Sequence, residues 1–143
     1  MAIARLLYAH LPTRVEELPR LRQALGGPRL LIKRDDQTGL AFGGNKTRKL
    51  EFLAAEARDQ GAKSLITGGA LQSNHCRQTA AAAARLGFEC ILVLTGDSLE
   101  EPSANLLLDQ LFGAQRCSRI STRTSFNTRE WDNALSSREF FRF

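Results

Sequence analysis

The residues with the greatest chemical capacity in this 143-residue chain fall in two short strings. The first is Gly43-Gly44-Asn45-Lys46, which opens a segment with helical spacing. A cation is poorly placed there, because the first turn of a helix already carries partial positive charge. Lys46 is therefore either a solvated lysine on a charged face shared with Arg48 and Lys49, or an amine kept for chemistry. An amine crowded by cations and partly desolvated has a lowered pKa and attacks a carbonyl carbon more readily, the first step to a Schiff base. Gly43 and Gly44 would then let backbone approach a flat ligand closely.

The second string is "GGALQSNHCRQ", residues 68–78, in which glycines turn the chain and Ser73-Asn74-His75 opens a helix. Backbone N–H groups and the helix dipole favour an anion at such a start. Ligands also collect at the carboxyl ends of parallel strands. Ordinary capping by Ser73 or Asn74 explains the same residues without chemistry. Cys76 adjoins His75, but helix neighbours do not face each other, so a Cys–His pair is not expected. Asp35 and Asp36 read as an ion-paired strand end. Neither a Walker loop nor the GxGxxG pattern is present.

The elements that must hold these strings alternate. Residues 14–27 carry Leu18, Leu21 and Leu25 at helical spacing, interrupted near the start by Pro19, and 29–36 is β-like. A glycine-punctuated loop over 37–45 leads to a helix capped by Asn45 and stopping at Gly61. A short strand, an alanine-rich helix over 73–87 and a strand over 88–96 then form a βαβ unit, the signature of a parallel sheet. A helix over 101–114 follows, with Leu107, Leu108 and Leu111 on one face. The class is α/β. From Gln115 onward no buried strand is legible, and residues 115–143 read as an Arg/Ser-rich tail, either disordered or the product of a shifted reading frame.

Composition is that of one globular domain, 43% hydrophobic and 24% charged. The net charge of +5 is uneven, since residues 115–143 hold six arginines against three acids. That is a poor nucleic-acid signature. Apolar runs fall far short of the roughly 18 residues a membrane span needs, and the N-terminus lacks signal-peptide features. Three cysteines without CxxC spacing argue against a disulfide framework or zinc site and for a reducing, cytoplasmic setting.

Taken together, "IKRDDQTGLAFGGNKTRKLEFL", "GGALQSNHCRQTAAAAARLG" and "ILVLTG" resemble the 1-aminocyclopropane-1-carboxylate deaminase/D-cysteine desulfhydrase family over residues 11–114. The resemblance implies a pyridoxal-phosphate-dependent fold type II enzyme of the tryptophan synthase β-like group. Its fold would be a three-layer parallel-sheet βαβ architecture, with residues 1–114 as the N-terminal part of the catalytic domain. Lys46 would bind pyridoxal 5'-phosphate covalently and later move a substrate proton. Asn74 would hydrogen-bond the cofactor's phenolic oxygen. Ser73 would hold the substrate carboxylate or lie near the reacting carbon, and His75 would help set substrate choice. Partners would be a small amino-acid substrate and a second copy in a homodimer, with no nucleic acid and no membrane.

His75 resembles the desulfhydrase branch, since the deaminase branch carries glutamine there. That implies α,β-elimination of D-cysteine to sulfide, ammonia and pyruvate. Cyclopropane-ring deamination and cysteate sulfo-lyase activity are the alternatives. The segment "LPTRVEELPRL" departs from the family's usual Thr-Pro-Leu. The family's phosphate cup, pyridine-nitrogen partner and catalytic tyrosines are not legible in residues 115–143. A truncated, inactive product with exposed apolar faces is therefore expected, and an inert α/β fragment with a basic tail is the non-enzymatic alternative.

Overall fold

The computed structural model describes residues 4–96, 101–119 and 140–142. In chain order the elements are β1 (Val15–Glu17), α1 (Pro19–Leu25), β2 (Leu31–Lys33), α2 (Lys46–Asp59), β3 (Ser64–Ala70) and α3 (Asn74–Leu86). Then come β4 (Glu89–Thr95), α4 (Ala104–Leu111), β5 (Gln115–Arg119) and β6 (Phe140–Arg142). Single 3₁₀ turns at Asp35–Gln37 and Leu40–Phe42 carry the chain from β2 to α2.

The expected βαβ unit is the centre of the molecule. Strands run in the order β5-β4-β3-β6, and every neighbouring pair is parallel. The register sets Leu65 opposite Cys90, Thr67 opposite Leu92 and Gly69 opposite Leu94. Side chains alternate across a strand, so Leu65, Cys90, Leu92 and Leu94 share one face. They are buried with Cys76, Ala80 and Ala83 of α3, Ala57 of α2 and Leu106 of α4. Each buried leucine contributes about 2 kcal/mol of apolar burial, and the alanines let α3 lie close to the sheet. On the opposite face of β3, Ser64 and Ile66 are buried as well.

A second cluster joins Tyr8 and Leu40 to Leu50 of α2 and Ala81 and Ala82 of α3. The N-terminal segment is tied across α2 by Glu51, whose buried carboxylate accepts from the Tyr8 and Ala9 N–H groups at 2.9 and 2.7 Å. Arg5 Nε donates to its other oxygen at 2.7 Å. Burial pushes the Glu51 pKa up, but the Ala9 and Tyr8 N–H groups and Arg5 outweigh it and leave the carboxyl below its usual range.

Four sequence expectations differ from the structure. Residues 14–27 are not one helix: Val15–Glu17 pairs antiparallel with Leu31–Lys33, and the helix begins only at Pro19. Its leucines do not enter the core, Leu25 being 69% exposed. In α4 the buried residues are Leu106 and Asp109, while Leu107 and Leu111 are exposed. Where no strand was legible, Gln115–Arg119 forms β5 beside β4. Gln115, Arg116 and Cys117 are exposed on that edge strand, so no apolar alternation marks it. Phe140–Arg142, also within the tail expected over 115–143, forms β6 beside β3; the remainder of that tail, 120–139 and 143, lies outside the described residues. Finally, Asn45 precedes α2 in helical conformation and its side chain makes no cap hydrogen bond.

Candidate active site

The two chemical strings meet where α2 and α3 begin. Ser73 is the N-cap of α3 in extended conformation, and its Oγ accepts from the Cys76 N–H at 3.3 Å. The same hydroxyl hydrogen-bonds the Cys76 thiol, whose pKa burial raises and this bond lowers. The turn is tight, since a Cβ on Gly69 would lie 2.8 Å from Ser73 Oγ and 2.9 Å from Cys76 Sγ. Asn74 is exposed on the first turn, and its amide makes no hydrogen bond among the described residues.

Lys46 begins α2, half-buried, with no ion pair among the described residues. Three helix positions on, Lys49 lies on the same face, and its pKa is lowered by burial and by Lys46. His75 Nε2 lies 2.8 Å from Thr67 Oγ1 of β3. Burial drops its pKa to about 4, with repulsion from Lys49 and then Lys46 adding to the effect, so the ring is neutral near pH 7. Such coupling falls off with distance, so Lys46, Lys49 and His75 share one electropositive neighbourhood.

A buried polar chain holds this neighbourhood together. Thr47 Oγ1 donates to Gln78 Oε1 at 2.7 Å and sits 3.1 Å from Thr38 Oγ1. The Gly44 N–H donates to Thr38 Oγ1 at 2.9 Å. Thr38, Thr47 and Gln78 are fully buried. Net gain per bond is about 1 kcal/mol, but an orphaned partner in such a place costs about 1–3 kcal/mol.

The glycines before Lys46 are required by the fold itself. Gly43 has φ 72 and its Cβ would collide with the Asp36 carbonyl; a Cβ on Gly44 would lie 2.2 Å from Gln78 Nε2. Internal packing excludes a side chain at both positions. A cleft of about 650 Å³ lined by Ile32, Arg34, Phe42 and Asn45 adjoins this loop without Lys46 in its wall. Asp35 and Asp36 are ion-paired as expected, Asp35 with Arg48 and Asp36 with Arg34, each at 2.7 Å. Those arginines hold both carboxyls below their usual range.

Sequence reasoning missed Lys49, Thr47 and Gln78. A signal was present: Lys49 stands at i+3 from Lys46, and Gln78 at i+4 from Asn74 inside an alanine-rich helix, both spacings that share a helix face.

Pyridoxal phosphate is a planar aldehyde with a phenolate and a phosphate, and the donor set suits it. The starts of α2 and α3 supply an amine without an ion pair among the described residues, a second cation, an amide without a hydrogen bond among them, and a hydroxyl. The positive charge, unneutralised among the described residues, favours an anionic ligand.

This is the α/β fold of the fold type II pyridoxal-phosphate enzymes. Residues 6–135 match the family model described as pyridoxal-phosphate dependent enzyme, and the chain belongs to that family. A D-cysteine desulfhydrase of Klebsiella pneumoniae (strain 342) is 55% identical over 109 residues, 73% of this chain and 33% of its own length. The D-cysteine desulfhydrase of Klebsiella pneumoniae subsp. pneumoniae matches with the same identity and coverage. The crystal structure of an ACC deaminase homologue superposes with a TM-score of 0.83 and 35% identity, over 99% of this chain and 44% of that one. The chain thus spans about a third of the length of the curated relatives it matches.

Proposed function

We propose that this chain carries the cofactor-lysine part of a D-cysteine desulfhydrase, which eliminates sulfide from D-cysteine to leave ammonia and pyruvate. The carrying observation is the half-buried Lys46 amine, without an ion pair among the described residues, set beside Lys49 and neutral His75. The 55% identity to the desulfhydrases supports the choice of substrate. A cytoplasmic location and a homodimer belong to the same reading.

When bound, pyridoxal phosphate supplies an electron sink for the charge left at the substrate's α-carbon. Lys46 Nζ would hold the cofactor and, once the substrate amine takes its place, accept the α-proton. The Asn74 amide would donate to the cofactor's phenolic oxygen. Ser73 Oγ, which accepts from Cys76 N–H, would turn its hydrogen from the Cys76 thiol to the substrate carboxylate. The α3 dipole favours that carboxylate at the same place. His75, neutral and held against Thr67, would border the substrate without adding charge. The electron pair from the α-carbon expels the sulfur as hydrosulfide, and water releases ammonia and pyruvate, which balances the reaction.

The ACC deaminase homologue's likeness favours ring-opening deamination as the second reading. The test is to add pyridoxal phosphate, reduce with borohydride and map the label by mass spectrometry. Label on Lys46, absent in Lys46→Ala, upholds the site, and label elsewhere or none overturns it. Sulfide release from D-cysteine by the whole protein, without ammonia release from the cyclopropane substrate, separates the two activities.

A further inference from the structure

One side chain outside that donor set reaches both halves of the site. Arg77, one turn into α3, donates through Nη2 to the Gly43 carbonyl at 2.8 Å and through Nη1 to Asn105 Oδ1 on α4 at 3.0 Å. Asn105 in turn grips Gln72, the residue before Ser73. Its Nδ2 donates to the Gln72 carbonyl at 2.8 Å, and its backbone N–H donates to Gln72 Oε1 at 2.9 Å. Gln72 Nε2 completes the contact by donating to the Ser103 carbonyl at 3.2 Å.

The Gln72 amide therefore binds the chain on both sides of Ala104, which is held at φ 47. A non-glycine residue in that region carries a cost of roughly 1–2 kcal/mol, so the start of α4 keeps this shape because Gln72 and Asn105 hold it. Asp109, one turn further along α4, is buried with both oxygens lacking a hydrogen bond among the described residues. Burial raises its carboxyl pKa to about 7 against the pull of the Arg77 and Arg116 guanidinium groups, so it is partly protonated near neutral pH. The planar Arg77 fork reaches the Gly43 and Asn105 partners at once.

We propose that Arg77 and Asn105 are positioning residues that set the spacing between the Gly43–Lys46 loop and the Gln72–Asn74 turn. Arg77 holds the first, Asn105 holds the second, and their mutual bond couples the two through α4. This rests on the reading of Lys46, Ser73 and Asn74 as the cofactor-holding group.

The experiment compares wild type with Arg77→Lys, Asn105→Ala and Asn105→Asp. Amide hydrogen exchange is followed at Gly44 and Ser73, whose N–H groups bond Asp35 and Ala70 carbonyls. Asn105→Ala should speed exchange about tenfold at both, although Asn105 touches neither, with far-ultraviolet circular dichroism unchanged. Asn105→Asp keeps an acceptor for Arg77 and loses the donor to Gln72, so it should loosen Ser73 alone. Arg77→Lys should loosen Gly44. With pyridoxal phosphate added, Asn105→Ala should label Lys46 as fully as wild type while the induced ellipticity of the bound cofactor falls. Exchange changes confined to residues 103–106, or wild-type ellipticity in the variant, would overturn the proposal. If wild type takes up no cofactor, the site reading fails, and the exchange pattern alone upholds or overturns the coupling.

Discussion

The helices α2 and α3 open side by side, and their first turns are built in opposite ways. The α3 start follows the local rule, with Ser73 extended and its side chain accepting from Cys76 N–H. The α2 start breaks it twice, with Asn45 giving no cap bond and Lys46 placing a cation at the positive end of the dipole. What holds α2 is tertiary: Thr47 against Gln78, Gly44 against Thr38, and Gly43 against Arg77. A helix start that ignores its own capping rule and is secured from outside is free to carry a residue chosen for chemistry. Local inconsistency of this kind concentrates at functional sites.

The contrast can be broken most severely at Lys46. Lys46→Ala should remove all borohydride-fixed cofactor while the helix content by circular dichroism stays that of wild type, or rises slightly. Next in size is Thr47→Val, which keeps shape but deletes the donor to Gln78 Oε1. It should cost about 1–3 kcal/mol, read as a lower urea midpoint at constant slope. The same measurement ranks the two caps. Ser73→Ala should cost about 1 kcal/mol, whereas Asn45→Ala should shift stability by no more than a few tenths, within about 0.5 kcal/mol, since no bond is lost. Equal losses at the two positions would remove the distinction between a capped and an externally held helix.

The smallest effect concerns charge. His75 should titrate near pH 4 by NMR, well below its ordinary value, because burial and the two lysines oppose the imidazolium. Removing one lysine with Lys49→Ala should move that midpoint upward by a few tenths of a unit, the direction that relief of repulsion requires. A histidine whose folded pKa is depressed binds its proton more readily in the unfolded chain. The His75 contribution to stability should therefore be constant above about 6.5 and be lost as pH drops from there toward 4. That of Asp109 is opposite in sign, because its raised pKa of about 7 favours the folded state at lower pH.

Much of this was legible in the chain itself, for identifiable reasons. The β3–α3–β4 unit could be read because its apolar runs and alanine-rich helix are long and ended by glycines. The family could be read because the strings around Lys46 and Asn74 stand in its order. The ribbon of β1 and β2 could not, since a three-residue strand beside Pro19 has too few positions to show a period against the leucines that follow. β5 was hidden because an edge strand with exposed Gln115 and Arg116 has no apolar face to display. Glycine positions were visible but their cause was not, because the atoms that exclude a Cβ belong to Asp36 and Gln78.

The sequence by itself determined the α/β class and the family, both carried by residue type and short spacing. Tertiary structure alone decided which polar groups would be buried and whom they would meet. Thr47 reaches Gln78 across 31 residues, Arg77 reaches Asn105 across 28, and Gly43 meets Arg77 across 34. Periodicity reports only which side of an element avoids water. The partner of a buried hydroxyl or guanidinium is set by how elements pack, and that exists only once the chain has folded.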